Sequence, residues 1–324
     1  MGLVRCAFQL VSESGALMIA PKPLTDFLGT IHATLGYAPP YLEPGRFCRF
    51  GPRKSGWAKL FADCLGGVFG DHRQNLSRHW SARQPRDQSP AELVAMRHHV
   101  QLAAREREAE QRAQWAKNAE RNAALWAASI PADDAVRSYL AARGLACWTL
   151  PACIRQHPGL AYWHTDDDGV LHRLGRYPAM LAPIVSGGTL LAIHRTYLGD
   201  GCKADVPMPK KLTAAAGPLA GACIALAAPR GGVLGIAEGI ETAAAASLGS
   251  GLPVVAAYCA SALAALTFPR DTERLVIFAD HDPAGQQAAA TLARRATRAG
   301  ITPKTLTPSK PGSDWADVWL EGQQ

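Results

Sequence analysis

The chain has 324 residues, 48% hydrophobic and 19% charged, which gives material for two domains with a sizeable core and excludes wholesale disorder. Its net charge of +7 fits an anionic partner such as nucleic acid or nucleotides, a statement about association and not about fold. Eight cysteines without a CxxC pair exclude a zinc ribbon and a disulfide framework, and leave reduced cytoplasmic thiols as the expectation.

Residues 1 to about 25 carry no clear period and are read as a mobile leader; Ser12, Glu13 and Ser14 break their apolar run and spoil a signal peptide. The longest apolar stretch, about Gly217 to Pro229, is too short to cross a bilayer, so no membrane partner and a cytoplasmic location are expected. From Tyr41 to Trp80, aromatics, glycines and basic residues mix in short alternating runs, which predicts a small β-rich module over residues 1–88. Its Arg49, Arg53, Lys54, Lys59 and Arg73 interleave with rings, Trp57 above all, in the composition of a platform where bases stack and cations meet phosphates. The competing reading is that the rings fill a core.

Ser89-Pro90-Ala91-Glu92 spells a helix start, and the Ala/Arg/Glu/Gln-rich run after it predicts one long linker helix over residues 89–130. A second helix, DDAVRSYLAARGL, stops at Gly144 and opens an α+β segment over residues 131–230. Within it, Asp166-Asp167-Asp168-Gly169 lacks the rest of a calcium loop and reads as a hairpin turn. From Gly231 short apolar runs alternate with alanine-rich helical segments, the mark of βαβ units and a mainly parallel sheet over residues 231–324.

Ligands gather at the carboxyl ends of strands in such sheets. One predicted strand ends at Glu238 before Gly239; another ends at Asp280, with Asp282 two residues on. Three carboxylates at one sheet edge repel one another, and a hard divalent cation such as Mg²⁺ or Mn²⁺ is the simplest relief.

The pair AEGIET and FADHDPAG resembles the Toprim domain of bacterial replicative primases, topoisomerases and some nucleases. With GSDWADVW, it is most similar to primase-like Toprim proteins of plasmids, phages and integrating elements. The resemblance implies an α/β fold: a Rossmann-like parallel catalytic domain preceded by the α+β subdomain, the linker helix and the β-rich module. It places the family glutamate on Glu238 and its aspartates on Asp280 and Asp282, with Asp314 as a further metal ligand ahead of Asp317. Gly239 and Gly285 become structural glycines, Gly285 letting the next helix approach. The segment Arg195 to Leu226 is similar to the basic motif that precedes Toprim in primases, which implies nucleotide or template contacts for Arg195, Lys203, Lys210 and Lys211. The GW and GVFGDHR stretches resemble the N-terminal region of relatives from mobile elements, but the cysteine-based zinc site of replicative primases has no counterpart, so no zinc is expected.

The implied activity is a DNA primase that makes short RNA primers from nucleoside triphosphates on single-stranded DNA, with a replicative helicase partner in trans because no helicase motor is encoded. Metal-dependent cleavage is a second class, set back by the lack of a GxxxxGK[ST] loop. A non-catalytic DNA-binding accessory protein is the third.

Overall fold

The structure, a computed structural model, describes residues 10–11, 17–18, 22–71, 73–74, 76–82, 90–166 and 170–323. Two short strands, β1 (Leu10–Val11) and β2 (Leu17–Met18), pair antiparallel, and helix α1 (Lys22–Leu35) follows. The expected leader thus gives way to ordered helix from Lys22, because Leu24, Phe27, Leu28, Ile31 and Leu35 recur at helical spacing and are all buried. Strands β3 (Cys48–Phe50), β4 (Gly56–Leu60), β5 (Gly66–Asp71) and β6 (Leu76–Ser81) form an antiparallel meander. Its Ala58, Leu60 and Phe69 pack with α1, where Phe27 meets Phe69 at 5.9 Å and Trp80 at 5.3 Å.

The long helix is one element, α2 (Pro90–Ala127); Ser89, its expected cap, lies outside the described residues. The chain divides into two compact units, Met1–Gln111 and Arg112–Gln324, so the division falls within α2. In the first unit, Val100 and Ala103 of α2 cover Trp57, Phe61 and Val68. Trp57 is 3% exposed, stacked on Phe47 and capped by the Arg107 guanidinium at 4.5 Å, so this ring is core and not an open platform. Lys59 is likewise engaged, in an ion pair with Glu106.

In the second unit α2 has a polar task. Asn118 Nδ2 donates to the Ala215 carbonyl at 2.7 Å, and Asn122 Nδ2 to those of Ala214 and Leu191 at 3.1 and 3.3 Å. These bonds fasten an irregular strap to the helix where its backbone acceptors would otherwise be buried without partners. After β7 (Ile130–Pro131) and α3 (Asp134–Ala142) come β8 (Arg155–Thr165), β9 (Leu171–Ser186), β10 (Thr189–Tyr197) and β11 (Lys210–Leu212). They form an antiparallel sheet in the order β11-β10-β9-β8-β7. The β8–β9 connection is the expected hairpin, with Asp166 accepting the Val170 N–H at 2.7 Å; Asp167, Asp168 and Gly169 lie outside the described residues.

The last third is the expected parallel sheet, β13-β12-β14-β15, from β12 (Val233–Ala237), β13 (Val254–Ala256), β14 (Arg274–Phe278) and β15 (Thr302–Leu306). Leu234, Ile236, Leu275 and Ile277 face helices α5 (Ala260–Ala265) and α6 (Pro283–Arg298). Ala237 and Phe278 face the other way, into a core with α4 (Ile240–Ser250), α7 (Trp315–Glu321) and α3, which also takes Met180, Ala182 and Ile184 of β9. Residues 131–230 and 231–324 therefore share one core. Backbone pairing reinforces it: Cys223 bridges to Val185 of β9, and Ile224 to Ala256 of β13. No helix among the described residues is long and apolar enough to cross a membrane.

Removing the Trp57 ring leaves a cavity between sheet and helix, so Trp57→Ala is expected to destabilise the first unit by about 3–5 kcal/mol, measured by urea denaturation.

Candidate active site

Strands β12 and β14 are neighbours in the parallel sheet, and their chain continues into Glu238 and Ala279-Asp280 at the same edge. A cleft of about 220 Å³ opens there, lined by Glu238, Asp280 and Asp314 together with Arg143, His194, Lys203 and Lys210. The cations come from the C-terminal end of α3 and from β11 and the loop before it. Acids and cations thus line one cleft, with Glu241 of the same lining bonded to Lys210.

Burial first, then the Glu238 carboxylate, then Asp314 and Asp282, push the Asp280 carboxyl up to about 7. Its Oδ1 is buried with no hydrogen-bond partner, in a structure where most buried polar atoms are satisfied. Glu238 is also raised, by burial and by Asp282, against the lowering effect of the Ala260 N–H and Lys210. Asp282 caps α6, accepting from the Gly285 N–H at 2.7 Å. Asp314 caps α7, accepting from the N–H groups of Ala316 and Asp317 at 2.7 and 2.9 Å, while Asp317 closes the capping box. Among the described residues no group of three or more His, Cys, Asp or Glu side chains is placed to hold a metal ion unaided.

The four sequence-derived cations separate by strand alternation. Lys203 and Lys210 line the cleft. Lys211, one residue on, points to the opposite face of the sheet, 4.2 Å from the Tyr162 ring, and donates to the Trp163 carbonyl at 2.5 Å. Arg195 donates to the Leu212 carbonyl at 2.7 Å and to the Tyr197 hydroxyl at 3.3 Å, also away from the cleft. In the first unit Arg49, Lys54 and Arg73 are exposed, and the Arg53 side chain lies outside the description.

Sequence reasoning missed Arg143, His194, Glu241 and Tyr139. Glu241, 4% exposed in the first turn of α4, takes Lys210 Nζ at 3.0 Å and the Tyr139 hydroxyl at 2.5 Å. Burial raises its carboxyl, but Lys210 and Tyr139 outweigh that and hold it at about 2. His194 is driven down to about 4 by burial and by Lys210, so it is neutral at physiological pH. His281 is half-buried: its Nδ1 pairs with the Pro308 carbonyl at 2.8 Å, and its backbone N–H donates to the Ser313 carbonyl at 3.0 Å. It clasps the loop that delivers Asp314.

Residues 233–324 match the family model described as Toprim domain, and residues 116–225 match one described as a domain of unknown function, DUF7146. No curated protein matches the chain. Three solved structures resemble it in fold. A DNA primase domain from Pseudomonas aeruginosa is 18% identical over 50% of this chain and 52% of that one, with a TM-score of 0.34. The DnaG primase catalytic domain bound to single-stranded DNA is 17% identical over 66% and 78%, with a TM-score of 0.44. The zinc-binding and RNA polymerase domains of Aquifex aeolicus primase are 12% identical over 93% and 83%, with a TM-score of 0.40. The chain spans about half the length of the Pseudomonas domain. The C-terminal third of this protein is a Toprim domain. Its parallel sheet carries Glu238 just past the end of β12 and Asp280 and Asp282 past the end of β14.

The two structural glycines differ in what surrounds them. A Cβ on Gly285 meets the Asp280 carbonyl oxygen at 2.9 Å, whereas one on Gly239 meets nothing closer than 3.4 Å. Gly285→Ala is therefore expected to displace Asp280 and weaken Mn²⁺ binding in calorimetry at least fivefold, and Gly239→Ala to change it less than twofold, roughly the spread between a forced shift and ordinary contact. Glu241 supplies a pH test. Its folded-state carboxyl lies below its unfolded value near 4.5, so its stabilisation is complete above that and fades as pH falls towards about 2. Urea midpoints are expected to drop more steeply between about pH 5 and about pH 3 in the wild type than in Glu241→Gln, which starts about 2–3 kcal/mol less stable at neutral pH.

Proposed function

We propose that this protein is a DNA primase, a nucleotidyltransferase that joins nucleoside triphosphates into short RNA on single-stranded DNA. The observation that carries this reading is that Glu238 and Asp280 line one cleft together with Arg143, Lys203 and Lys210. Such a site suits a substrate that brings both a polyphosphate and a hydroxyl nucleophile.

The donor set is all oxygen, which fits Mg²⁺ or Mn²⁺, and the unpartnered Asp280 Oδ1 is the atom a cation would satisfy. Asp280 and Glu238 would hold it, with the second oxygens of Asp282 and Asp314 completing the set beside water and phosphate oxygens. When bound, the metal offsets phosphate charge and acidifies the attacking 3′-hydroxyl. The chain's own groups do the rest. Lys210, held by Glu241, and Lys203 and Arg143 orient the triphosphate, and neutral His194 adds bulk without charge beside them. Glu238, with its raised carboxyl, is suited to accept the hydroxyl proton. A helicase acting in trans, and a mobile-element setting, belong to the same proposal.

Purified protein given single-stranded template, NTPs and Mn²⁺ or Mg²⁺ is expected to make short oligonucleotides. Asp280→Asn is expected to lower the rate by at least about 10²-fold with unchanged thermal stability. Cleavage of the template in place of synthesis would favour a nuclease, and equal plasmid maintenance by wild type and Asp280→Asn would favour a non-catalytic accessory protein.

A further inference from the structure

Beyond the cleft, β8 and β9 run on past the end of β10. Strand β9 pairs with β10 only from Ala179 to Ser186, so residues 171–177 and their β8 partners form a two-stranded arm. Register fixes which side chains share each face of that arm. Thr196 pairs with both Lys210 and Met180, which places Met180 on the sheet face of Lys210 and His194. Alternation along β9 carries that face to Arg176, opposite Ala161, and two residues along β8 to Trp163, opposite Arg173. The reverse face holds Tyr162, buried between Tyr177 and Tyr197.

Trp163 is 47% exposed, and the same arm leaves Val170, Leu171 and Leu174 open to solvent, a larger apolar area than a lone surface ring. Arg173 faces Trp163 across the strand pair, and Arg176 stands one step nearer the cleft with its Nε on the Gly159 carbonyl at 2.9 Å. Both arginines are exposed. Asp166, at the hairpin turn, is engaged by His172 at 2.7 Å and by the Val170 N–H.

We propose that this face of the β8–β9 arm is a single-stranded DNA platform, on which a base stacks on Trp163 while Arg173 and Arg176 take the flanking phosphates and lead the strand toward Lys210. The two guanidinium groups on this face suit phosphate oxygens. The open indole face selects unpaired bases over duplex, because paired bases keep their faces stacked on one another. The inference rests on the template-dependent reading above for its direction, not for its chemistry. It also supplies an open indole, whereas Trp57 of the N-terminal module is buried.

The test is anisotropy of a labelled oligo(dT) titrated with the full chain in EDTA, where neither metal nor catalysis contributes. Trp163→Ala is expected to weaken binding about 5- to 20-fold and Trp163→Phe to restore most of it, as for loss of one stacked base. Arg173→Glu is expected to weaken it and to make its salt dependence shallower, since it removes a phosphate contact. Asp280→Asn is expected to bind as the wild type does, and a wild type that binds this way but makes no primer would sink the polymerase reading alone. The platform is overturned if Trp163→Ala, folded with the wild-type urea midpoint, binds oligo(dT) equally well, or loses duplex and single-strand affinity in equal measure. It is also overturned if the substitution changes only self-association in sedimentation, which would make the arm a protein interface.

Discussion

The carboxylate of Glu241 is the constraint on which the cleft depends. A buried, ionised glutamate without partners costs several kcal/mol, and here it is matched by Lys210 Nζ from β11 and the Tyr139 hydroxyl from α3. Three elements that are distant in sequence must therefore meet at one point on α4. Once Lys210 is drawn to that point, strand alternation fixes Lys211 on the other face, and the cation-bearing edge of the antiparallel sheet is held against the parallel sheet's carboxyl end. The backbone bridges from Cys223 and Ile224 hold the same two sheets from a second side.

This geometry keeps acids and cations in one cleft without pairing them all. Lys210 bonds Glu241, one helical turn beyond Glu238, and makes no ion pair with Glu238 or Asp280, whose carboxyls stay raised. The result is a cleft in which Glu238 and Asp280 keep raised carboxyls beside cations that are not bonded to them. His281 contributes from the back, since its bonds to Pro308 and Ser313 set where the Asp314 loop lies relative to Asp280.

Much of this was legible because periodicity reports burial. The parallel sheet, the long helix and the acids at strand ends follow from short apolar runs, an unbroken alanine-rich stretch and the EG and D-x-D spacing. What failed was the assignment of side chains to faces. Trp57 and the basic residues around it read equally well as platform or as core, and only the cover given by α2 decides for core. Lys210 and Lys211 look interchangeable until the strand is known, and then they cannot both face the cleft. Glu241 looks like an ordinary first-turn acid, yet a signal was present: it lies in IETAAAAS, a helix too apolar to have a solvated side, so its carboxylate had to find a partner.

The remaining question is how four acids tolerate one sheet edge, and helix termini answer it. Glu238 directly precedes α4 and accepts from the Ala260 N–H at the start of α5; Asp282 caps α6, and Asp314 caps α7. Each carboxylate meets the positive end of a helix, where N–H groups lack intrahelical partners, so backbone dipoles hold charge that side-chain cations do not. Asp280 is the exception. It sits behind the N-terminus of α6, touches Gly285 closely, and keeps an oxygen with no donor at all. The capped acids are thus satisfied by backbone donors, whereas Asp280 alone of the four keeps a buried oxygen without one, and its carboxyl is pushed up to about 7 by burial and by the acids around it.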